Sequence, residues 1–248
     1  MKNKVLAIDI GNTTIGYGLF QKDHLLTSGY VKNGNIPGLL RNLKRSGVKS
    51  LDKLVISSVV PKKSKILKKA FTQAYKEIFI LEVGRNLPIA VKMKYRKDQL
   101  GADRLINIYG AVKRIKLPAL IIDFGTAITF DFIDKNGVFR GGLIVPGLET
   151  SWRALQEKAA LLPKHLKLKA VKELAATNTE SAMFSGLLNG FGAMTDGLIG
   201  RFKRKYGKGV KVLATGGASP LISKYCYLID VTDPLHTLKS LQLAVSVY

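Results

Sequence analysis

The stretch LAIDIGNTTIGYGLF, residues 6–20, decides how the rest of this 248-residue chain is read. An apolar run ends in a single acid, Asp9, and then in Gly11 with the small polar side chains of Asn12, Thr13 and Thr14. Strand-like sequence resumes at once, so the pattern predicts strands at 4–10 and 15–20 around the GNTT turn, with a third at His24–Tyr30. A second stretch, LIIDFGTAITFDFI at residues 120–133, repeats the plan with Asp123, Gly125, Thr126 and Thr129. Any hairpin can share a D-x-G turn, because Asp and Gly are turn formers. Two such turns at matching places in both halves instead indicate an internal duplication, with two similar lobes facing each other across a cleft.

Working outward, helices are predicted at Gly38–Ser46, from Pro61 through Tyr75, and at Leu100–Lys116, with strands at Leu54–Ser58 and Glu77–Val83. The second half restarts with strands at Ala119–Ile122, Ala127–Phe132 and Val138–Val145. A helix is expected from Pro146-Gly147 to about Ala160, and a long glycine-containing helix or helix pair over Thr179–Tyr206. Strands follow at Val210–Ala214 and Tyr227–Val231, then a closing helix over Leu235–Val247. Strand–helix alternation in both halves makes the fold class α/β.

Hydrophobic residues make up 46% of the chain, enough to exclude a disordered class. One cysteine, Cys226, excludes an intramolecular disulfide framework and fits a reducing cytoplasm. No apolar run approaches the roughly 20 residues that a membrane helix needs, so no membrane partner is expected. The formal charge of +23 would suit a nucleic acid or another anionic partner. The basic residues nevertheless fall in many short clusters, such as Lys62/Lys63/Lys65/Lys68/Lys69 and Lys164/Lys167/Lys169/Lys172, without interleaved aromatics. That argues for a solvated surface rather than a nucleic-acid groove.

The two acid–glycine turns have the chemistry of phosphate sites. Glycine lets a ligand approach the backbone, and successive N–H groups with neighbouring hydroxyls form an anion nest. The acids would repel bare phosphate, so a cation is expected between them; Mg²⁺ suits one or two carboxylates plus substrate phosphates. Neither a Walker A loop nor a G-x-G-x-x-G occurs. TGGAS, residues 215–219, follows an apolar strand, and its paired glycines permit close backbone approach to a ligand. GADR, residues 101–104, opens a predicted helix. Asp103 there can be a helix-start acid favoured by the macrodipole, with Arg104 in solvent, or a base for a substrate hydroxyl with Arg104 as a carboxylate clamp.

Taken in order, DIGNT (9–13), GADR (101–104), DFGTAIT (123–129), GGLIVPG (141–147), KAALLP (158–163), NTESAMFSG (178–186), TGGAS (215–219) and DPLHTLKSLQLA (233–244) make the chain resemble the type III pantothenate kinases of the acetate-and-sugar-kinase/actin-like superfamily. The resemblance implies two actin-like (ribonuclease H-like) lobes, mixed sheets flanked by helices, with the nucleotide in the cleft between them. It divides the chain into an N-terminal lobe over residues 1–115 and a C-terminal lobe over 116–248. It implies ATP-dependent phosphorylation of pantothenate to 4′-phosphopantothenate, the first step toward coenzyme A, by a cytoplasmic homodimer whose interface helps form the substrate pocket.

Carried over to this chain, Asp9, Ile10, Gly11, Asn12, Thr13, Thr14, Ile15 and Gly16 would form the first phosphate loop, with Asp9 serving Mg²⁺ through water. Asp123 would hold a monovalent cation, K⁺ or NH₄⁺, and Thr126, Gly216 and Gly217 would contact ATP. Tyr95, Gly101, Ala102, Asp103, Arg104 and Thr179 would face pantothenate, with Asp103 the proton acceptor. The chain departs from the family in KYRKDQLGADR, which lacks the usual proline before G-x-D-R, and in Ser240, where glycine is common. Its charge and altered Tyr95 region leave a paralogue acting as a basic regulatory or nucleic-acid-binding protein as the alternative, and a kinase for a related hydroxy acid as a third reading.

Overall fold

The computed structural model describes residues 4–158, 163 and 169–246. It divides into two compact units, residues 1–114 with 235–248, and residues 115–234.

The first unit is built on β1 (Lys4–Ile10), β2 (Thr14–Gln21), β3 (His24–Lys32), β4 (Lys53–Ser58) and β5 (Phe79–Glu82), in the order β3-β2-β1-β4-β5. β1, β2 and β3 form an antiparallel meander, whereas β4 and β5 run parallel to β1. Strand side chains alternate between faces, so β1 feeds two cores. Leu6, Ile8 and Ile10 pack with Leu39 and Leu43 of α1 (Ile36–Arg45) and with Leu67 and Phe71 of α2 (Pro61–Ala74). Val5 and Ala7 face the other way, in a core with Leu105 and Ile106 of α3 (Ala102–Arg114). Asp9 shares the parity of Val5 and Ala7, which puts it on the face that α3 covers. A two-residue strand, β6 (Lys92–Met93), precedes α3.

The second unit repeats the plan. β7 (Ala119–Phe124), β8 (Ala127–Ile133) and β9 (Val138–Pro146) form an antiparallel meander, and β10 (Lys211–Thr215) and β11 (Val231–Thr232) run parallel to β7. The order β9-β8-β7-β10-β11 is that of the first sheet, strand for strand. Leu120, Ile122, Phe124, Phe130, Val212 and Ala214 make its core with Leu148 of α4 (Leu148–Lys158), Leu188 and Ile199 of α5 (Thr179–Tyr206), and Ile222 of α6 (Ser219–Ile222). α5 is one helix of 28 residues despite its glycines. Asn178 caps it, accepting from Ser181 N at 2.9 Å.

Two expectations are corrected. The sequence places residues 235–248 in the C-terminal lobe, but the closing helix α7 (His236–Val245) returns to the first unit, where Leu238, Leu241, Ala244 and Val245 join the α3 core. Sequence order cannot reveal this, because the apolar face of a helix does not state which sheet it covers. Tyr227–Val231 is not a strand: the N–H groups of Tyr227 and Leu228 donate to the Asp196 carboxylate at 2.8 and 3.0 Å, and pairing starts only at Val231. Residues 159–162 of KAALLP, the far end of the expected 146–160 helix, Lys164, Lys167 and Val247 lie outside the described residues.

The α3–α7 contact also explains Ser240. His236, 1% exposed, donates from Nε2 to Asn107 O at 2.9 Å, and Ser240 Oγ donates to His236 O at 2.6 Å. Ser240 lies directly against Gly110 of α3, where a Cβ would collide with its Oγ and Cβ. The glycine that allows the close approach therefore sits on the partner helix. Gly110→Ala is expected to cost about 1–3 kcal/mol by overpacking, and Ser240→Gly in the same chain to recover part of it. Thermal melts of the two single variants and the double variant check this; additive losses would contradict it.

Candidate functional site

Each sheet presents an acid near the end of its first strand, and each acid has a hydroxyl beside it. Asp9 is in register with Ser57 on β4, and Asp123 with Thr215 on β10. Ser57 and Thr215 are fully buried, and among the described residues neither hydroxyl has a hydrogen-bond partner. The duplication therefore extends to the polar side chains of both strand ends.

In the first unit, Gly11 N donates to Thr14 O at 3.0 Å and closes the turn. Asn12, Thr13 and Thr14 are exposed, whereas Ile10, Ile15 and Gly16 are buried. These buried strand residues on either side thus anchor a turn whose tip is exposed. Val59, just past β4, donates its N–H to Ile10 O at 3.2 Å, and its side chain borders Gly101, where a Cβ would lie 3.6 Å from Val59 Cγ1. GADR is thereby brought to the strand ends that carry the GNTT turn.

Within GADR, Asp103 folds back over the first turn of α3. Its Oδ1 accepts from Arg104 N at 2.7 Å and occupies the space a Cβ on Gly101 would need. Burial pushes the Asp103 carboxyl above its ordinary value, against the opposing hydrogen bond from Arg104 N and the Arg104 charge. Arg104 is not a solvent residue: it is 7% exposed, with its guanidinium 5.4 Å from the Tyr95 ring centroid. Tyr95 gives the Arg104 cation an aromatic face, a contact that KYRKDQLGADR does not disclose because the two residues are nine positions apart and on different elements.

In the second unit three motifs converge. Gly125 N donates to Ala127 O at 3.2 Å, leaving Gly125 and Thr126 exposed at the tip. Thr126 O accepts from Gly147 N at 2.9 Å and from Thr150 Oγ1 at 2.7 Å, which ties GGLIVPG and α4 to the turn. TGGAS closes over the other side: Ala218 N donates to Phe124 O at 3.2 Å, and Gly216 lies against Asp123 Oδ1. At Gly217 a Cβ would meet nothing within 4 Å, so its backbone faces open space. Thr179 is the exposed first residue of α5, placed by the Asn178 cap rather than by this cradle. Gly147 and Thr150 belong to the cradle but were not picked out as site residues from the sequence.

Residues 5–201 match the family model described as type III pantothenate kinase. A curated type III pantothenate kinase of Rubrobacter xylanophilus is 34% identical over 254 residues, covering 96% of each chain. This chain belongs to the type III pantothenate kinase family. Among solved structures, a conserved protein described as a Baf family transcriptional activator from Campylobacter jejuni superposes with a TM-score of 0.60 at 20% identity, over 98% of both chains. The activator of the 2-hydroxyisocaproyl-CoA dehydratase from Clostridium difficile, with bound ADPNP, gives 0.56 at 12% identity, over 97% of this chain and 93% of that one. Both likenesses are of fold alone, and they agree with the actin-like α/β class expected from the sequence. DIGNT, GADR, DFGT and GGLIVPG all lie within the matched residues 5–201, and TGGAS lies beyond them.

Proposed function

We propose that this chain transfers the terminal phosphoryl group of ATP to the primary hydroxyl of pantothenate, giving 4′-phosphopantothenate, the first step of coenzyme A biosynthesis. The observation that carries the reading is Asp103: a desolvated carboxylate, held by Arg104 N and made possible by Gly101, at the strand ends that carry the GNTT turn. Phosphoryl transfer asks little covalent chemistry of the protein, so positioning and charge neutralisation are what the residues must supply. Asp103 orients the substrate hydroxyl and takes its proton as transfer completes. Arg104, buried with its guanidinium over the Tyr95 ring, offers a cation for the pantothenate carboxylate. Gly101, Ala102 and Thr179 complete this substrate set.

The residues fit a nucleotide with its cations. Asp9 to Gly16 offer an open turn beside one carboxylate, and the backbone of Gly217 beside Asp123 and Thr126 is accessible to a flat or anionic ligand. Asp9 would hold Mg²⁺ through water, Asp123 a K⁺ or NH₄⁺ ion, and Thr126, Gly216 and Gly217 the ATP. When bound, the cations would neutralise phosphate charge. A homodimer is supported by an apolar groove of about 420 Å³ along α5, lined by Met183, Gly186, Leu187, Gly190, Phe191 and Met194 with others. A cytoplasmic setting is supported by the single cysteine, Cys226, since a chain with one cysteine has no intramolecular disulfide to maintain. Among the described residues no helix is long and apolar enough to cross a membrane.

A coupled assay of ADP release, with and without pantothenate and with K⁺ exchanged for Na⁺, tests the reading. Turnover that depends on pantothenate and rises with K⁺ is expected. Turnover indifferent to pantothenate but dependent on another hydroxy acid would overturn the substrate. The regulatory alternative is not favoured, since DIGNT, GADR, DFGTAIT and TGGAS are all present.

A further inference from the structure

Asn33, the residue after β3, gathers the turn between β1 and β2. Its Nδ2 donates to Gly11 O at 2.6 Å and to Asn12 O at 3.1 Å, and its backbone N–H donates to Thr13 O at 2.8 Å. Three successive carbonyls are thus turned toward one residue 22 positions or fewer away in sequence. The amide orientation follows from chemistry, because the flipped form would set Oδ1 against two carbonyl oxygens, acceptor against acceptor.

A trans peptide points its C=O and the following N–H in opposite directions. With the carbonyls of Gly11 and Asn12 drawn to Asn33, the N–H groups of Asn12 and Thr13 project from the other side of the turn. Successive N–H groups on one side form a concavity for an anion. The Gly11 N–H does not contribute, because it is used by Thr14 O. That bond closes the hairpin without engaging the three peptide groups between its ends; the Asn33 amide holds the first two, and the Asn33 backbone N–H holds the third.

We propose that Asn33 is a positioning residue for phosphate binding: it touches no substrate and acts by holding the Asn12 and Thr13 N–H groups toward the phosphates of a nucleoside triphosphate. The inference rests on the ATP-dependent reading above and assigns this chain's first turn a partner outside every motif that marks the family. A preset nest gains affinity because the peptide planes need not be ordered at the moment of binding. The effect therefore belongs to the nucleotide and not to pantothenate.

The test is calorimetric titration of ATP into the full-length wild type and Asn33→Ala, with KM for ATP and for pantothenate measured separately. Asn33→Ala is expected to weaken ATP by about tenfold, equivalent to about 1.4 kcal/mol, with the pantothenate KM unchanged and a cooperative thermal melt retained. A wild type that binds no ATP overturns the kinase reading and this inference with it. A wild type that binds, beside an Asn33→Ala that binds equally well or loses ATP and pantothenate alike, overturns this inference alone. Should Asn33→Ala not fold, amide exchange on the wild type decides. Slowing at Asn12 and Thr13 on adding ATP supports the assignment, and unchanged exchange there refutes it.

Discussion

Asp103→Asn is expected to lower kcat by at least ~10², the low end for loss of a general base, while ATP still binds. The substitution is nearly isosteric, and an asparagine Oδ1 can still accept from Arg104 N as the carboxylate does at 2.7 Å. What is lost is the group that receives the hydroxyl proton. Stability gives an independent check. Burial raises the folded-state pKa of Asp103 above its value in the unfolded chain. Such a group favours the folded state below the unfolded pKa, and that contribution is lost as pH rises through the folded pKa. At neutral pH the charged carboxylate is therefore a burden, and Asp103→Asn should melt no lower than wild type. The same shift places the acid limb of the kcat profile above the ordinary aspartate value of 3.8. A variant that keeps wild-type turnover removes Asp103 from the chemistry. One that loses turnover only because it melts early would leave the proposed base unsupported as well.

The second large effect falls on Gly216. Its φ of +89° lies where L residues with a Cβ are strained. A methyl there would also be driven into Asp123 Oδ1 and to 2.8 Å from the backbone N and C of Phe124. The backbone of β7 cannot yield without disturbing the core beneath Phe124. Backbone strain and overpacking together put Gly216→Ala at about 3 kcal/mol of destabilisation, with ATP binding falling alongside. Gly217→Ala is the control, since a Cβ at that position meets nothing within 4 Å; its stability should stay within about 0.5 kcal/mol of wild type. Equal melts for the two variants would refute the account of the turn.

The sheets were legible because each strand carries its own evidence. An apolar run ending in an acid and a glycine states both where a strand stops and which residue sits at its end, and 6–20 and 120–133 did so twice. The two acid–glycine turns, GADR and TGGAS could be found for the same reason: each signal lies within five residues. Contacts between distant segments could not. Asn33 is one polar residue among several in YVKNGN, and nothing local marks its amide as the clamp of Gly11 and Asn12. Arg104 reads as a helix-start charge until Tyr95 is seen beneath it. Ser240 reads as a departure from the family until Gly110 supplies the missing space from α3. In each case the deciding neighbour comes from another element, and helical or strand periodicity carries no information about it.

The return of α7 to the first unit has a consequence for how the protein is made. Residues 115–234 form a contiguous unit whose core needs nothing from later in the chain. The first unit, although synthesised earlier, has only α3 and the segment around Leu87 and Ile89 on one side of its sheet until residues 236–245 have left the ribosome. Val5, Ala7, Val55 and Leu81 wait through the synthesis of the whole second unit for Leu238, Leu241 and Ala244. The half that carries Asp9 and Asp103 is begun first and completed after the second unit, so the order of translation holds that half back until both units can exist together.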